Sequence, residues 1–171
     1  MTGGIPAYGL LAALAIALLV AAFTDLRHRR ISNGLSAAVA LGAPLFWWAS
    51  GLAPWPDVAV QLGLALAAFA VLAGLFAIGA MGGGDVKLLT ALALWLPWQP
   101  FVELLILMAL IGGLLTILVA AWHVIGRRGG KIEIPYGVAI ASAGLWVLGS
   151  HYLTGARALA SNYWPAAAAM G

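Results

Sequence analysis

Two aspartates stand where long apolar runs meet basic or glycine-rich sequence: Asp25 in Phe23-Thr24-Asp25-Leu26-Arg27-His28-Arg29-Arg30-Ile31-Ser32-Asn33, and Asp85 in Met81-Gly82-Gly83-Gly84-Asp85-Val86-Lys87. A carboxylate at the border of hydrocarbon costs about 2.5 to 3.5 kcal/mol to insert and is usually kept for a reason. Taken singly, each has a structural explanation. Asp25 could pair with Arg29 four residues on, and Asp85 could accept N–H bonds at a helix start. Taken together they offer chemistry. Two carboxylates within reach of one water, in a site of reduced dielectric, cannot easily both ionise, so they share a proton. The ionised partner can then take a proton from water as it attacks a peptide carbonyl, while the protonated partner polarises that carbonyl and later helps the amine leave.

Such a pair needs elements that bring it to one membrane level. Of 171 residues 64% are hydrophobic and 8% charged, with a mean hydropathy of +1.06, which excludes an ordinary soluble domain and points to a single all-α polytopic membrane domain over residues 1–171. No cysteine is present, so neither a disulfide nor a thiolate site is expected. The formal charge of +3 comes from Lys and Arg clustered at helix ends, a pattern of membrane orientation and not of nucleic-acid binding.

The apolar runs are about Pro6 to Phe23, Gly34 to Ala53, Val58 to Ala80, Val86 to Leu96, Phe101 to Ile125 and Pro135 to Leu153. The first is long enough to cross about 30 Å of hydrocarbon at about 1.5 Å per residue, and no basic residue precedes it, so it reads as a retained helix with its N-terminus outside. The fourth offers only about 17 Å of helix before Pro97-Trp98-Gln99-Pro100. Charge argues that it nevertheless crosses. A crossing puts Arg27, Arg29, Arg30, Lys87, Arg127, Arg128 and Lys131 on one side and leaves Arg157 alone on the other, seven to one; otherwise the split is five to three. About six transmembrane helices follow, with both termini outside and both acids at the cytoplasmic ends of helices one and four.

Glycines within the runs, such as Gly42, Gly63, Gly74, Gly112, Gly113 and Gly144, read as close helix packing. Gly82, Gly83 and Gly84 are different, because beside an acid they permit positive φ or close approach of another backbone, against which an extended substrate could lie. Trp47-Trp48 reads as an interfacial belt and Pro54-Trp55-Pro56 as a turn. Lys87 could tune Asp85, contact substrate or anchor at headgroups. The run from Arg27 to Arg30 reads as an orientation signal. Asp57 and Glu103 are expected on the outer side in solvated or capping roles, Tyr136-Gly137 could border the cleft although an interfacial tyrosine is the more ordinary reading, and His28, His123 and His151 lack partners at metal-binding spacing.

These patterns resemble the type IV prepilin peptidases, the GxGD membrane aspartyl proteases of the A24 family. Asp25 through Asn33 is similar to the family's aspartate, basic stretch and Ile-Pro-Asn, with Ser32 in place of proline. Gly82 to Lys87 meets Gly-x-Gly-Asp-x-Lys without departure, and Ile134-Pro135-Tyr136-Gly137-Val138-Ala139-Ile140 is similar to a Pro-Tyr-Gly-Pro-Ala-Ile segment, with Val138 replacing a proline. The resemblance implies Asp25 and Asp85 as the catalytic pair, with Gly82, Gly83, Gly84 and Lys87 toward substrate and no metal or cofactor. It implies a bacterial inner-membrane enzyme that cleaves prepilin or pseudopilin precursors at the cytoplasmic face. Only about ten residues separate the first two apolar runs. A peptidase without the family's cysteine-bearing methylation region is therefore expected, similar to compact tight-adherence (Flp-type) forms. The alternatives are a small proton-linked transporter, for which no inverted repeat is found, and a non-catalytic pilus-assembly subunit.

Overall fold

In lipid a backbone must satisfy its own N–H and C=O groups, as helices and closed barrels do, and the regular elements among the described residues are all helical. The computed structural model describes residues 5–125 and 136–153. Arg127, Arg128, Lys131, Ile134, Pro135 and Arg157, which bear on topology and motif, lie outside the described residues. Six α-helices occur among those described: α1 (Ile5–His28), α2 (Asn33–Ser50), α3 (Ala59–Ala77), α4 (Gly83–Ala93), α5 (Trp98–Ile125) and α6 (Tyr136–Leu148), with single irregular turns at Pro54–Val58 and Gly149–Leu153.

Three stretches are long and apolar enough to cross a membrane by length and composition: Ile5–His28, Pro54–Ala77 and Trp98–Trp122. Their outward faces carry exposed apolar residues, among them Ile16, Leu66, Phe69, Ile106 and Leu110, as a surface solvated by lipid would. α2, α4 and α6 are shorter and supply much of the interior. α4 is the most enclosed: Leu88, Leu89, Leu92 and Ala93 have essentially no exposed surface. α1 packs against α6 and α2, α4 against α3 and α2, and α6 also against α5.

The end of α4 remote from Asp85 illustrates the cost of a short buried helix, whose last carbonyls have no helical partner. Side chains of other elements supply the donors. Gln61, itself buried, donates through Nε2 to the carbonyls of Ala93 and Leu96, both at 2.6 Å, and Trp47 Nε1 donates to Leu94 O at 2.8 Å. Trp95 Nε1 returns a bond to Val39 O at 2.8 Å, with its ring stacked on Phe46. Trp47 is therefore buried and turned inward, away from the interfacial belt expected from its neighbour, whereas Trp48 is 81% exposed. Leucine at position 61 would leave two buried carbonyls unpaired, at about 1–3 kcal/mol. A lowered thermal midpoint of the detergent-solubilised Gln61→Leu chain, with Gly63→Ala as an unchanged lipid-face control, is the expected result.

The glycines divide by face. A Cβ on Gly42 would meet the Trp95 ring at 2.8 Å, one on Gly112 the Tyr136 ring at 2.9 Å, and one on Gly144 a Leu18 methyl at 2.9 Å. These are close-packing positions. Gly63, Gly74 and Gly113 have nothing within 4 Å and face open space.

Candidate active site

α1 ends at His28 because Arg29 turns to φ 52, a left-handed conformation that stops the helix, with Arg29 N–H still donating to Asp25 O at 2.8 Å. α2 restarts at once. Ser32 caps it, its Oγ accepting the Leu35 N–H at 3.2 Å, with φ −69 and ψ 142. The serine found where the family pattern has proline thus keeps a φ that proline would also adopt, and adds a cap. Only Arg29 to Ser32 separate the two helices, fewer than the run lengths suggest.

The glycine triplet begins α4. Gly82 is the extended residue before the first turn, and Gly83 and Gly84 are already helical, so none of the three uses positive φ; that conformation falls upstream at Gly79, φ 74. Close approach is what the triplet provides. A Cβ on Gly84 would lie 3.3 Å from the Ile31 side chain and 3.6 Å from the Ile31 backbone, so the α1–α2 turn rests on the start of α4. A Cβ on Gly82 would lie 2.9 Å from Asp85 Oδ2. Asp85 therefore folds back over the residue preceding its own helix, the N3 half of a capping box.

Asp25 is buried and is held from a third element. Its Oδ2 accepts the Gly137 backbone N–H at 2.8 Å, at the first turn of α6. A carboxylate at a helix N-terminus is favoured by the exposed amides and the helix dipole. The approach is so close that a Cβ on Gly137 would sit 2.8 Å from Asp25 Cγ and Oδ2. The sequence offers Tyr136-Gly137 as a candidate border of the cleft, and Tyr136 does line the cavity that Asp25 borders. That Gly137 holds Asp25 through its amide is not marked by the sequence beyond the Pro-Tyr-Gly pattern.

These elements converge on one open cavity of about 960 Å³. Thr24, Asp25 and His28 of α1 line it, with Arg29, Arg30, Ile31 and Ser32 of the turn, Asn33 of α2, Gly82 to Asp85, and Tyr136. Both acids singled out from the sequence thus border one water-accessible space. They share this cavity although α1 and α4 do not pack extensively on one another; α2 and α6 touch both helices. All three glycines line the cavity and Lys87 does not. Lys87 Nζ instead donates to Asn33 Oδ1 at 2.8 Å.

The basic run is partly at the site, since His28, Arg29 and Arg30 line the cavity, while Arg27 lies over the Phe23 ring at 6.0 Å to its centroid. The remaining polar groups are elsewhere. Asp57 is buried, its Oδ2 accepting the Ala53 N–H at 3.3 Å, a local capping role. Glu103 Oε2 is 2.5 Å from His151 Nε2, joining the start of α5 to the turn after α6. No group of three or more His, Cys, Asp or Glu that could hold a metal occurs among the described residues.

The absence of native cysteine permits a direct test of convergence. In the Asp25→Cys/Asp85→Cys chain, a short bifunctional thiol reagent is expected to give an intramolecular cross-link, read by mass spectrometry as one added bridge. Two singly capped thiols without a bridge would contradict the shared cavity.

Against known proteins, residues 12–117 match the type IV leader peptidase family. A prepilin leader peptidase/N-methyltransferase of Aeromonas salmonicida (strain A449) is 31% identical over 151 residues, covering 83% of this chain and 50% of that protein. One of Aeromonas hydrophila is 30% identical over the same length and the same shares. The chain thus spans about half the length of the curated relatives it matches. No solved structure matches it. The family match over most of the chain joins the motifs at Asp25, Asp85 and Tyr136-Gly137, and the chain belongs to the type IV leader peptidase family.

Proposed function

We propose that this chain is a membrane aspartyl endopeptidase that removes the leader peptide from type IV pilin-like precursors at the cytoplasmic membrane face, without N-methylation. The observation that carries this reading is the single cavity bordered by both Asp25 and Asp85. Its position at the ends of apolar helices fits a bond at the junction between a membrane-embedded segment and a water-exposed leader. Six crossings with both termini outside agree with the basic residues Arg27, Arg29, Arg30 and Lys87 lying at the cavity end of the fold.

In this mechanism the dyad holds one proton. The ionised aspartate takes a proton from the attacking water as its oxygen bonds to the scissile carbonyl carbon, and the protonated partner gives its proton to the carbonyl oxygen. Collapse of the tetrahedral species breaks the C–N bond. The departing nitrogen takes a proton from the dyad while one hydroxyl of the tetrahedral species returns its own proton to it, leaving a carboxyl terminus on the leader, a free amine on the mature chain and the dyad again with one proton. The four-residue connection between α1 and α2 leaves no room at that point for a cysteine-bearing region, which supports leader removal without methylation by these residues.

Co-expression with a candidate precursor tests the reading, with leader removal followed by gel mobility. Cleavage that depends on the chain is expected. Proton or ion flux without cleavage would replace this reading with transport, and stable association without either would replace it with an assembly subunit.

A further inference from the structure

The bond between Lys87 and Asn33 fixes more than a loop. An ammonium group has three donors and no acceptor, so it selects the oxygen of the Asn33 amide and turns the two N–H donors away from itself. Asn33 lines the cavity shared by the two acids, whereas Lys87 stands outside it. We propose that Asn33 is a substrate-binding residue that donates to a backbone carbonyl of the extended precursor, and that Lys87 is a positioning residue acting through Asn33. This deepens the peptidase reading and rests on it.

Among the cavity-lining side chains of α1, the α1–α2 turn and α2, Asn33 stands apart. The Thr24 hydroxyl is turned to its own helix, at 2.9 Å from Val20 O and 3.1 Å from Ala21 O, so its proton is engaged. Ser32 Oγ accepts in the α2 cap, which leaves it one rotatable donor against the two of an oriented amide. Arg29 and Arg30 carry charged donors suited to acidic groups more than to a neutral carbonyl. Asn33 is the first residue of α2, close to Ile31, whose backbone rests against Gly84. Its amide is thereby registered to the start of α4, and so to Asp85. A peptide drawn into an extended form exposes carbonyls that need donors, and a neutral amide of fixed orientation supplies them without adding charge beside the dyad.

The test uses the full chain in lipid vesicles, measuring KM and kcat for cleavage of a purified precursor by wild type, Asn33→Ala, Lys87→Met, Lys87→Arg and the Asn33→Ala/Lys87→Met double variant. Asn33→Ala is expected to raise KM about tenfold with a smaller change in kcat. Lys87→Met is expected to raise KM by no more than that, Lys87→Arg to stay near wild type, and the double variant to match Asn33→Ala alone. Should Asn33→Ala not accumulate, Asn33→Ser carries the same comparison. Multiplying effects in the double variant, or an unchanged KM in Asn33→Ala, would overturn the inference while the peptidase reading stands. A wild-type chain that leaves its precursor intact would overturn both.

Discussion

Asparagine at either Asp25 or Asp85 is expected to lower leader removal by roughly 10²- to 10⁴-fold while the protein accumulates normally in the membrane. Asparagine keeps the size and much of the hydrogen bonding of aspartate but can neither take a proton from water nor deliver one to the leaving amine. Packing should survive. In Asp25→Asn the amide retains an oxygen for the Gly137 N–H, and in Asp85→Asn it retains one that can fold back over Gly82. A structural role for either acid, as an ion-pair partner or helix cap, would instead show as reduced abundance with little loss of rate per molecule. Precursor and mature forms quantified on one gel, with the peptidase counted in the same membranes, separate the two outcomes.

The second large effect is expected at a residue that carries no functional group. Gly137→Ala places a methyl carbon where Asp25 Cγ and Oδ2 lie only 2.8 Å away, closer than any real contact of this kind. Either Asp25 turns out of the cavity or the start of α6 moves back from α1. In both cases the 2.8 Å bond to Oδ2 is lost and the carboxylate no longer faces its partner. Misplacement of a catalytic group by about 1 Å costs on the order of 10²-fold, so a loss of that size is expected for alanine and a larger one for valine. Gly113→Ala is the control, because its Cβ would meet nothing within 4 Å and helix propensity favours alanine. Wild-type cleavage by Gly137→Ala would remove the α6 amide from the account of how Asp25 is held.

The two acids were legible in the sequence because a charge at a hydrocarbon border is rare, and because Asp25 and Asp85 each adjoin residues of a recognisable pattern. The helices were legible for the same reason, as apolar runs with polar ends. What lay within the runs was not. A helix with lipid on one face and protein on the other is apolar all round, so α3 and α5 offer no periodicity that marks the buried side. That is why Gly63 and Gly112 look alike in sequence, yet only Gly112 meets another helix. Trp47 and Trp48 were likewise indistinguishable, and what separates them is a carbonyl at the end of α4 that needs a donor. Gln61 gave no signal of its service to that same helix end. Gly137 was hidden for a different reason: its importance lies in Asp25, 112 positions away in the chain, whose carboxylate needs the space a side chain would fill.

Lys87 marks the boundary between motif and geometry. Its place two residues after Asp85 leaves tuning of that carboxylate, contact with substrate and anchoring at headgroups all open, and on a helix that spacing points the side chain away from its neighbour. The ammonium reaches Asn33 instead, linking the two motif segments to one another.

The most direct measurement of the central claim is single-turnover cleavage of a purified precursor by the purified chain in its wild-type, Asp25→Asn, Asp85→Asn and doubly substituted forms. If one water is activated by both carboxylates, either substitution alone disables the unit, and the double variant is no slower than the worse single one. Substantial cleavage by either single variant, or losses that multiply in the double one, would contradict a shared dyad.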